Sequence, residues 1–363
     1  MTLIDIKALR QDELASLFSS WNLPQYRVPQ LTQWLYSHRV TTWDAMTNLP
    51  VALREKLAAH FSLVVLTLST QQGAPDQTRK FLWRLPDGSF IESVLIPANP
   101  ALYSEPSDRL TLCVSTQVGC AYGCKFCASG LRGWKRNLHT SEIVEQVLAT
   151  ERLLTGESGN RPDGKPDKLV NNLVIMGMGE PLANYEELMK ALLIINAPWG
   201  LGIGARKITI STSGLAPEIR RLADEPQQYR LAISLHAATN EVRQRIMPVN
   251  RKYPLEILLD ACDYYIRKKG RMISFEYILI EGVNDGLDQA ALLSKLARRF
   301  HAKVNLIPFN RVDELPWKRP SQDRQEAFLD LLTQGGVAAT LRREKGDGID
   351  AACGQLRLKM EAL

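Results

Sequence analysis

Three closely spaced cysteines follow a short apolar run in Leu110-Thr-Leu-Cys113-Val-Ser-Thr-Gln-Val-Gly-Cys120-Ala-Tyr-Gly-Cys124-Lys-Phe-Cys127. The run Leu110–Ser115 predicts a strand, so the three cysteines belong to the loop after it. Their spacings of four and three residues suit three thiolates around a 4Fe–4S cluster whose fourth iron has no protein ligand. A structural zinc site is the alternative, but zinc usually takes four ligands, often as two Cys-x-x-Cys pairs, and the chain has no second pair.

Further along the chain, apolar runs alternate with helical segments. The runs are Leu110–Ser115, Leu173–Met176, Lys207–Ser211, Leu231–Ser234, Ile273–Ile280 and Val304–Ile307. The helices expected between them include Ser141–Leu154, Tyr185–Asn196, Leu255–Lys268 and Gln289–Phe300. Six strand–helix units in series predict an α/β fold in which a parallel sheet curls into a partial (βα)6 barrel, two units short of a full barrel.

A small helical module and a β-hairpin are expected ahead of the barrel. Apolar residues recur at helical spacing in Gln11–Trp21, Val28–Arg39 and Val51–His60. Further on, Pro86-Asp-Gly88 is a turn signal between two apolar runs, which predicts a hairpin. We therefore divide the chain into a helical accessory domain, a β-hairpin extension, the barrel and a C-terminal segment, at residues 1–65, 66–107, 108–345 and 346–363.

The composition is that of an ordinary globular protein. The chain has 363 residues, of which 45% are hydrophobic and 23% charged, and a net charge of +6. No run approaches the roughly 20 apolar residues that span a bilayer, and the N-terminus lacks the apolar core of a signal peptide. We therefore expect a cytoplasmic protein without a membrane partner, and a monomer. Six cysteines in that compartment are not expected to form a disulfide framework.

Basic residues gather in three places, at Arg132, Lys135 and Arg136, over Arg267–Arg271, and at Arg342, Arg343 and Lys345. Each group alone is typical of a solvated surface. Together, in a catalytic protein, the three groups favour a polyanionic partner.

A second motif follows the second apolar run, at Gly177-Met-Gly-Glu180-Pro181. It resembles the Gly-Glu motif of radical S-adenosylmethionine (SAM) enzymes, which share the Cys-x3-Cys-x2-Cys loop. In those enzymes SAM chelates the open iron, glycines let the backbone approach SAM, and a carboxylate or backbone acceptor holds its ammonium group. A lone Gly-x-Gly-Glu is weak evidence, but one strand–helix unit after the cysteine loop it is strong.

Nearly the whole chain, as far as Leu356, resembles the dual-specificity adenosine methyltransferases of the RlmN/Cfr family. The stretches that carry the resemblance are Trp43-Asp-Ala-Met-Thr-Asn-Leu-Pro50, Thr111-Leu-Cys-Val-Ser-Thr-Gln-Val-Gly-Cys120, Gly177-Met-Gly-Glu-Pro-Leu-Ala-Asn184, Ser211-Thr-Ser-Gly214, Ile233-Ser-Leu-His236, Asn305-Leu-Ile-Pro-Phe-Asn310 and Ile349-Asp-Ala-Ala-Cys-Gly-Gln-Leu356. The resemblance implies a radical SAM barrel that uses two SAM molecules per turnover and an external electron donor such as flavodoxin. It implies cluster ligands at Cys120, Cys124 and Cys127, and SAM contacts at Gly179, Glu180, Ser211, Ser234, Leu235, His236 and Asn310.

The resemblance also implies a covalent route through Cys353, Cys113 and Glu92. Cys353 is methylated by one SAM, and a 5′-deoxyadenosyl radical from the second SAM removes hydrogen from that methyl group. The methylene radical adds to C2 of adenine, Glu92 accepts a proton, and Cys113 releases the RNA by forming a disulfide with Cys353. From the residues alone, either cysteine is equally typical of a small buried core residue, and Glu92 is typical of a solvent-facing strand position. Cys262 lies on an apolar helical stripe and is expected in the core.

The implied substrate is adenosine in 23S rRNA, at the peptidyl-transferase centre, and in tRNA, on the 3′ side of the anticodon. Pro181, Ser213 and Pro308 favour methylation of C2, because the branch of the family that methylates C8 tends to replace them. A C8 methyltransferase of the Cfr type is the alternative within the family. Two alternatives lie outside it: a zinc-stabilised RNA-binding protein, and a glycyl-radical activase, which would not need the two lone cysteines. Gly348 stands where family members often carry a second aspartate before the terminal cysteine.

Overall fold

The backbone of this chain, in a computed structural model, is described over six ranges. They are residues 3–74, 78–98, 107–158, 169–312, 314–342 and 354–361. Cys353 and Gly348 lie outside these ranges, and so do Arg343 and Lys345 of the third basic group.

The described ranges hold fourteen strands and eleven α-helices. The strands are β1 (Ile4–Asp5), β2 (Phe61–Ser62), β3 (Thr67–Gln72), β4 (Arg79–Arg84), β5 (Phe90–Pro97), β6 (Leu110–Cys113), β7 (Gln117–Gly119), β8 (Trp134–Asn137), β9 (Asn172–Ile175), β10 (Ile208–Thr212), β11 (Arg230–Ser234), β12 (Ser274–Leu279), β13 (Lys303–Pro308) and β14 (Ala339–Leu341). The helices are α1 (Gln11–Ser20), α2 (Arg27–Thr32), α3 (Val51–His60), α4 (Thr140–Ser158), α5 (Tyr185–Asn196), α6 (Ala216–Asp224), α7 (Asn240–Ile246), α8 (Leu255–Lys269), α9 (Leu287–Arg299), α10 (Gln322–Gln334) and α11 (Gln355–Glu361).

Ten of these strands form one sheet, in the order β14-β13-β12-β11-β10-β9-β6-β5-β4-β3. Strands β6 and β9 to β14 are paired in parallel. This arrangement confirms the predicted parallel α/β sheet, and all six apolar runs of the sequence are strands of it. Strand β14 is not predicted by the sequence pattern, because its three residues are too few to show a period.

The predicted hairpin is continuous with the barrel sheet. Strand β5 pairs antiparallel with both β4 and β6, so β3, β4 and β5 extend the sheet beyond β6. The register sets Lys80 opposite Val94, and Val94 opposite Cys113. Directly paired residues point to the same face, and so do residues two apart on one strand. Lys80, Glu92 and Cys113 therefore share one face of the sheet.

The helical module packs on the barrel through two buried ion pairs. Lys7 lies 2.9 Å from Glu145, and Arg39 lies 2.9 Å from Glu151, with both carboxylates on α4. All four side chains are at most 5% exposed. Loss of one partner would leave a buried charge uncompensated, so the seat of the module depends on these contacts.

The core lies where helices cover the parallel strands. Leu112, Ile175, Ile210 and Ile233, from four successive parallel strands, are fully buried, as expected for a sheet covered on both faces. Cys262 is fully buried in α8, as its apolar stripe predicts. In the part of the chain that the structure describes, no helix is long and apolar enough to cross a membrane.

Candidate functional site

The cysteine loop connects β7 to β8. Its first cysteine is fixed by the hydrogen bond from the Cys120 N–H to the Gly133 carbonyl, at 3.2 Å. A Cβ atom on Gly119 would lie only 1.9 Å from that carbonyl oxygen, and Gly119 has a φ of +80°. Only glycine allows the two strands to approach so closely at the start of the loop.

The centre of the loop is held from two sides through the backbone of Lys125. Its N–H donates to the Ile246 carbonyl at 2.9 Å, and its carbonyl accepts from the indole Nε1–H of Trp317 at 2.7 Å. Trp317 stands in an irregular segment between β13 and α10, where the sequence gave no functional signal. The tertiary contact identifies Trp317 as a positioning residue for the cysteines.

The three thiols are close enough for their charges to interact. Burial raises the pKa of Cys120 to about 12. Burial, and after it Cys127 and Cys120, raise the pKa of Cys124 well above its ordinary value. Metal binding requires the thiolate form, so a positively charged iron centre would relieve the mutual repulsion of the three sulfurs.

The three thiols suit the ligand set of an iron–sulfur cluster. A 4Fe–4S cluster places each thiolate on a separate iron, so its ligands need not converge on one point. Cys120, Cys124 and Cys127 therefore match the chemistry of a cluster with an open fourth iron.

The Gly-Glu loop after β9 is tied to the end of β10. The Glu180 carboxylate accepts from the Ser213 N–H at 2.7 Å and from the Leu182 N–H at 3.1 Å. Burial raises the pKa of Glu180, although both backbone N–H groups oppose that rise. Gly179 has a φ of +99°, and a Cβ there would meet the Gln117 side chain at 2.6 Å. Glu180 thus organises the loop and ties it to the residues that follow β10.

Two further predicted SAM residues come together at the ends of β10 and β11. The hydroxyl oxygens of Ser211 and Ser234 lie 3.4 Å apart. The adjoining Leu235 carbonyl accepts a hydrogen bond from Arg243, a fully buried side chain that also donates to the Ser213 carbonyl. Arg243 therefore links the loops after the two strands. No local sequence pattern predicted this role.

His236 connects the cysteine loop to the next strands. Its Nδ1 accepts from the Ile278 N–H at 3.0 Å, so the neutral ring carries its hydrogen on Nε2. The Phe126 ring of the cysteine loop packs edge-on against it, with centroids 4.8 Å apart. Burial, and after it the charge of Arg243, lower the pKa of His236 to about 3. The imidazole is thus a fixed neutral hydrogen-bond donor at ordinary pH.

Asn310, just after β13, carries a buried acceptor that the protein does not satisfy. Its Oδ1 has no hydrogen-bond partner among the described residues. A buried unsatisfied polar atom costs about 1–3 kcal/mol, so a donor from a bound ligand would offset that cost. This orphaned oxygen supports the predicted role of Asn310 in holding SAM.

Glu92 is buried, at 2% exposure, which corrects its reading from the sequence alone as a solvent-facing residue. Its carboxylate accepts from Lys80, Gly354 and Arg357. Cys113 is also buried, on the same face of the sheet. Across the described ranges no two cysteines are disulfide-bonded, so the expected disulfide gains no support, and its other partner, Cys353, lies outside the described residues.

The first basic group divides into two kinds of residue. Arg136 is bound within the protein, since it lies 2.7 Å from both Asp87 and Glu142. Arg132 and Lys135 also lie near carboxylates, 3.8 Å from Glu314 and 3.2 Å from Glu361, but their side chains are about half exposed, at 48% and 50%. The indole of Trp134, between them in the chain, is 49% exposed. Arg136 is therefore held more firmly within the protein than Arg132 and Lys135, whose side chains are more exposed to solvent.

The chain is similar to characterised families over almost its whole length. The family model described as the ribosomal RNA large subunit methyltransferase N-terminal domain matches residues 4–63, and that of the radical SAM superfamily matches residues 165–293. A probable dual-specificity RNA methyltransferase RlmN 3 from Opitutus terrae is 54% identical over 93% of this chain and 90% of its own length. A probable dual-specificity RNA methyltransferase RlmN from Akkermansia muciniphila is 49% identical over 98% of this chain and 96% of its own.

A solved structure confirms the radical SAM fold. The crystal structure of a radical SAM methyltransferase from Sphaerobacter thermophilus matches with a TM-score of 0.88 and 42% identity. The match covers 97% of this chain and 98% of that one. The helical module and the β-hairpin extension therefore belong to the shared architecture together with the barrel.

Proposed function

The chain belongs to the dual-specificity RNA methyltransferases of the RlmN family, and on that premise we propose that it methylates C2 of adenosine in 23S rRNA and tRNA. The rRNA target is the peptidyl-transferase centre, and the tRNA target lies 3′ of the anticodon. Membership in the radical SAM superfamily implies a 4Fe–4S cluster and SAM. We further propose a cytoplasmic monomer that receives electrons from a donor such as flavodoxin.

The proposed cofactor site combines the cysteine loop with the strand ends. Cys120, Cys124 and Cys127 would hold the cluster, and the SAM contacts would be Gly179, Glu180, Ser211, Ser234, Leu235, His236 and Asn310. When bound, the reduced cluster supplies the electron that cleaves SAM to methionine and a 5′-deoxyadenosyl radical. The unpaired acceptor of Asn310 and the Nε2–H of His236 would be available to orient SAM.

One contact supports the proposed role of Cys353 in methyl transfer. Gly354, the residue bonded to Cys353, donates its N–H to Glu92 at 2.9 Å, on the face of the sheet that Cys113 shares. A Cβ on Gly354 would also lie 2.7 Å from Ser129, in the turn after the last cysteine of the loop. Gly354 therefore lies between the turn after the cysteine loop and Glu92, which shares a face of the sheet with Cys113.

The proposed reaction follows the order of steps that the family resemblance implies. Cys353 takes a methyl group from one SAM, loses a hydrogen atom from it to the radical, and joins C2 of adenine through the resulting methylene. The radical adduct must then give up one electron, which can return to the oxidised cluster, and Glu92 accepts the proton that leaves C2, so that the adenine ring becomes aromatic again. Cys113 then attacks the Cys353 sulfur, the carbon–sulfur bond breaks, and the released carbon takes up a proton to become the methyl group. The disulfide so formed must be reduced by an external thiol before the next turnover.

The methylated position is tested by the product. Reduced, anaerobic enzyme with SAM would be incubated with unmodified 23S rRNA and tRNA, and the digested nucleosides compared with 2-methyl- and 8-methyladenosine by mass spectrometry. We expect 2-methyladenosine, because Pro181, Ser213 and Pro308 follow the C2 branch of the family. In the structure the backbone N–H of Ser213 donates to Glu180, so this position lies next to the Gly-Glu loop. Formation of 8-methyladenosine would overturn the assignment.

A further inference from the structure

Glu92 is the meeting point of three donors that lie far apart in the chain. Its Oε2 accepts from the Gly354 N–H at 2.9 Å and lies 3.1 Å from the Lys80 Nζ, and its Oε1 accepts from the Arg357 N–H at 2.8 Å. The side chains of Lys80 and Glu92 are 3% and 2% exposed. Burying a carboxylate is less costly when a cation lies beside it and its oxygens accept hydrogen bonds, and Glu92 has both Lys80 and two backbone N–H donors.

We propose that Lys80 and Glu92 form a clamp that seats the C-terminal segment, and with it Cys353, on the face of the sheet that carries Cys113. The importance of this seat for catalysis rests on the proposed function, but the clamp itself does not. Lys80 is a positioning residue: it takes no part in the bond changes of the proposed reaction and acts by fixing the carboxylate. Glu92 holds the segment through two backbone N–H groups, whatever part it also plays in proton transfer.

Gly354 packs tightly against the turn that follows the cysteine loop. Gly354 has a φ of +83°, and a Cβ there would lie 2.7 Å from the Ser129 backbone. The segment is thus in close contact with the turn after the cysteine loop on one side, and Glu92 holds it from the other. Glu92 lies 262 residues before Gly354 in the chain, so tertiary contacts, and not chain connectivity, keep the two together. The same segment also packs through Leu358 against Ala128 and Val312.

The clamp is tested on the full-length protein without cluster or SAM. Hydrogen exchange of the amides of residues 354–361 and the rate of Cys353 alkylation by iodoacetamide, followed by peptide mass spectrometry, would be compared with the wild type. Lys80→Met and Glu92→Gln should each raise both rates about tenfold, because the segment opens locally. Lys7→Met is the matched control: it removes a buried cation from Glu145, and both rates should stay at the wild-type value.

The double variant Lys80→Met/Glu92→Leu keeps the test decisive if a single variant does not fold. Replacing both members of a buried pair by apolar residues avoids an unpaired charge, so the domain should fold while the segment still opens. Unchanged exchange and alkylation in the folded variants would overturn the clamp. In that case, loss of RNA methylation in Glu92→Gln alone would assign Glu92 to the chemistry only. If exchange is fast in the variants but the wild-type enzyme makes no methyladenosine, the clamp is supported and the proposed function is wrong.

Discussion

The indole of Trp317 donates a hydrogen bond to the backbone carbonyl of Lys125 at 2.7 Å, which ties the segment before α10 to the centre of the cysteine loop. Lys125 lies between Cys124 and Cys127, so this bond restrains the path of the chain between two proposed cluster ligands. The opposite side of the same residue is held by Ile246. The loop is therefore preorganised by the barrel before any cluster binds.

Trp317→Phe should assemble the cluster but lose it faster. The substitution keeps an aromatic ring and removes only the donor to Lys125, so the loop becomes less restrained. We expect a several-fold faster decay of the cluster absorption when the reconstituted protein is exposed to a chelator. Trp34→Phe removes an indole donor to Asn48 in the helical module and should decay at the wild-type rate. Equal rates for the two variants would show that the Trp317 bond does not support the loop.

Replacing Cys120, Cys124 or Cys127 by Ala should abolish iron retention and SAM cleavage together. A cluster that loses one of its three protein anchors is not held, and no open iron remains to bind SAM. Iron content, sulfide content and 5′-deoxyadenosine formation are the measurements. Cys262→Ala is the control, because Cys262 is fully buried in α8 and should leave all three unchanged. A cysteine-loop variant with full iron and active SAM cleavage would remove that residue from the ligand set.

His236 should make the protein less stable in mild acid. Its pKa is lowered from 6.5 to about 3 in the folded state, so between these values the unfolded chain binds a proton that the folded chain does not. The free energy of unfolding therefore falls as pH drops below 6.5, with a slope that approaches about 1.4 kcal/mol per pH unit from this group. The loss is complete near the folded-state pKa.

His236→Asn isolates that contribution. Asparagine tolerates the positive φ of 57° at this position, and its side-chain oxygen can accept from the Ile278 N–H without titrating. Urea unfolding of the cluster-free protein between about pH 5 and 6.5 should show a shallower pH dependence in the variant. Parallel curves for variant and wild type would mean that His236 does not account for the slope.

Substitutions of Arg132 and Lys135 should weaken RNA binding, whereas substitution of Arg136 should mainly lower stability. Arg132→Ala and Lys135→Ala remove half-exposed cations, so each should weaken RNA binding and reduce the salt slope by about one if the residue contacts a phosphate. Arg136→Ala breaks the contacts with Asp87 and Glu142 and should lower the melting temperature instead. Filter binding at several salt concentrations and thermal unfolding measure the two effects. If both exposed variants keep the wild-type salt slope, the RNA-binding surface lies elsewhere on the protein.

Cys353→Ala and Cys113→Ala should stop the reaction at different points. Without Cys353 there is no sulfur to carry the methyl group, so neither methylated enzyme nor product should form, although the cluster stays intact. Without Cys113 the enzyme should be methylated, join the RNA and then stall. A denaturing gel would show that species as a shifted band that ribonuclease removes. Normal turnover by Cys113→Ala, or an adduct formed by Cys353→Ala, would overturn the assigned roles.

The sequence by itself determined the features that depend on short-range patterns. Three cysteines at spacings of four and three predict a cluster loop, and the alternation of apolar runs with helical segments predicts the parallel strands. The short strand β14 was beyond that reach, because three residues carry no period. The site residues at the strand ends followed from a resemblance that covers nearly the whole chain.

Only the tertiary structure decided what surrounds those residues. Glu92 looks solvent-facing in its strand, yet it is buried because Lys80 neutralises it and a segment 262 residues away covers it. Arg136 looks like a phosphate ligand, yet two carboxylates bind it. Trp317 shows no local signal at all, although its indole holds the cysteine loop. These partners meet only after the chain has folded, and contacts across such separations leave no periodicity or spacing in the sequence.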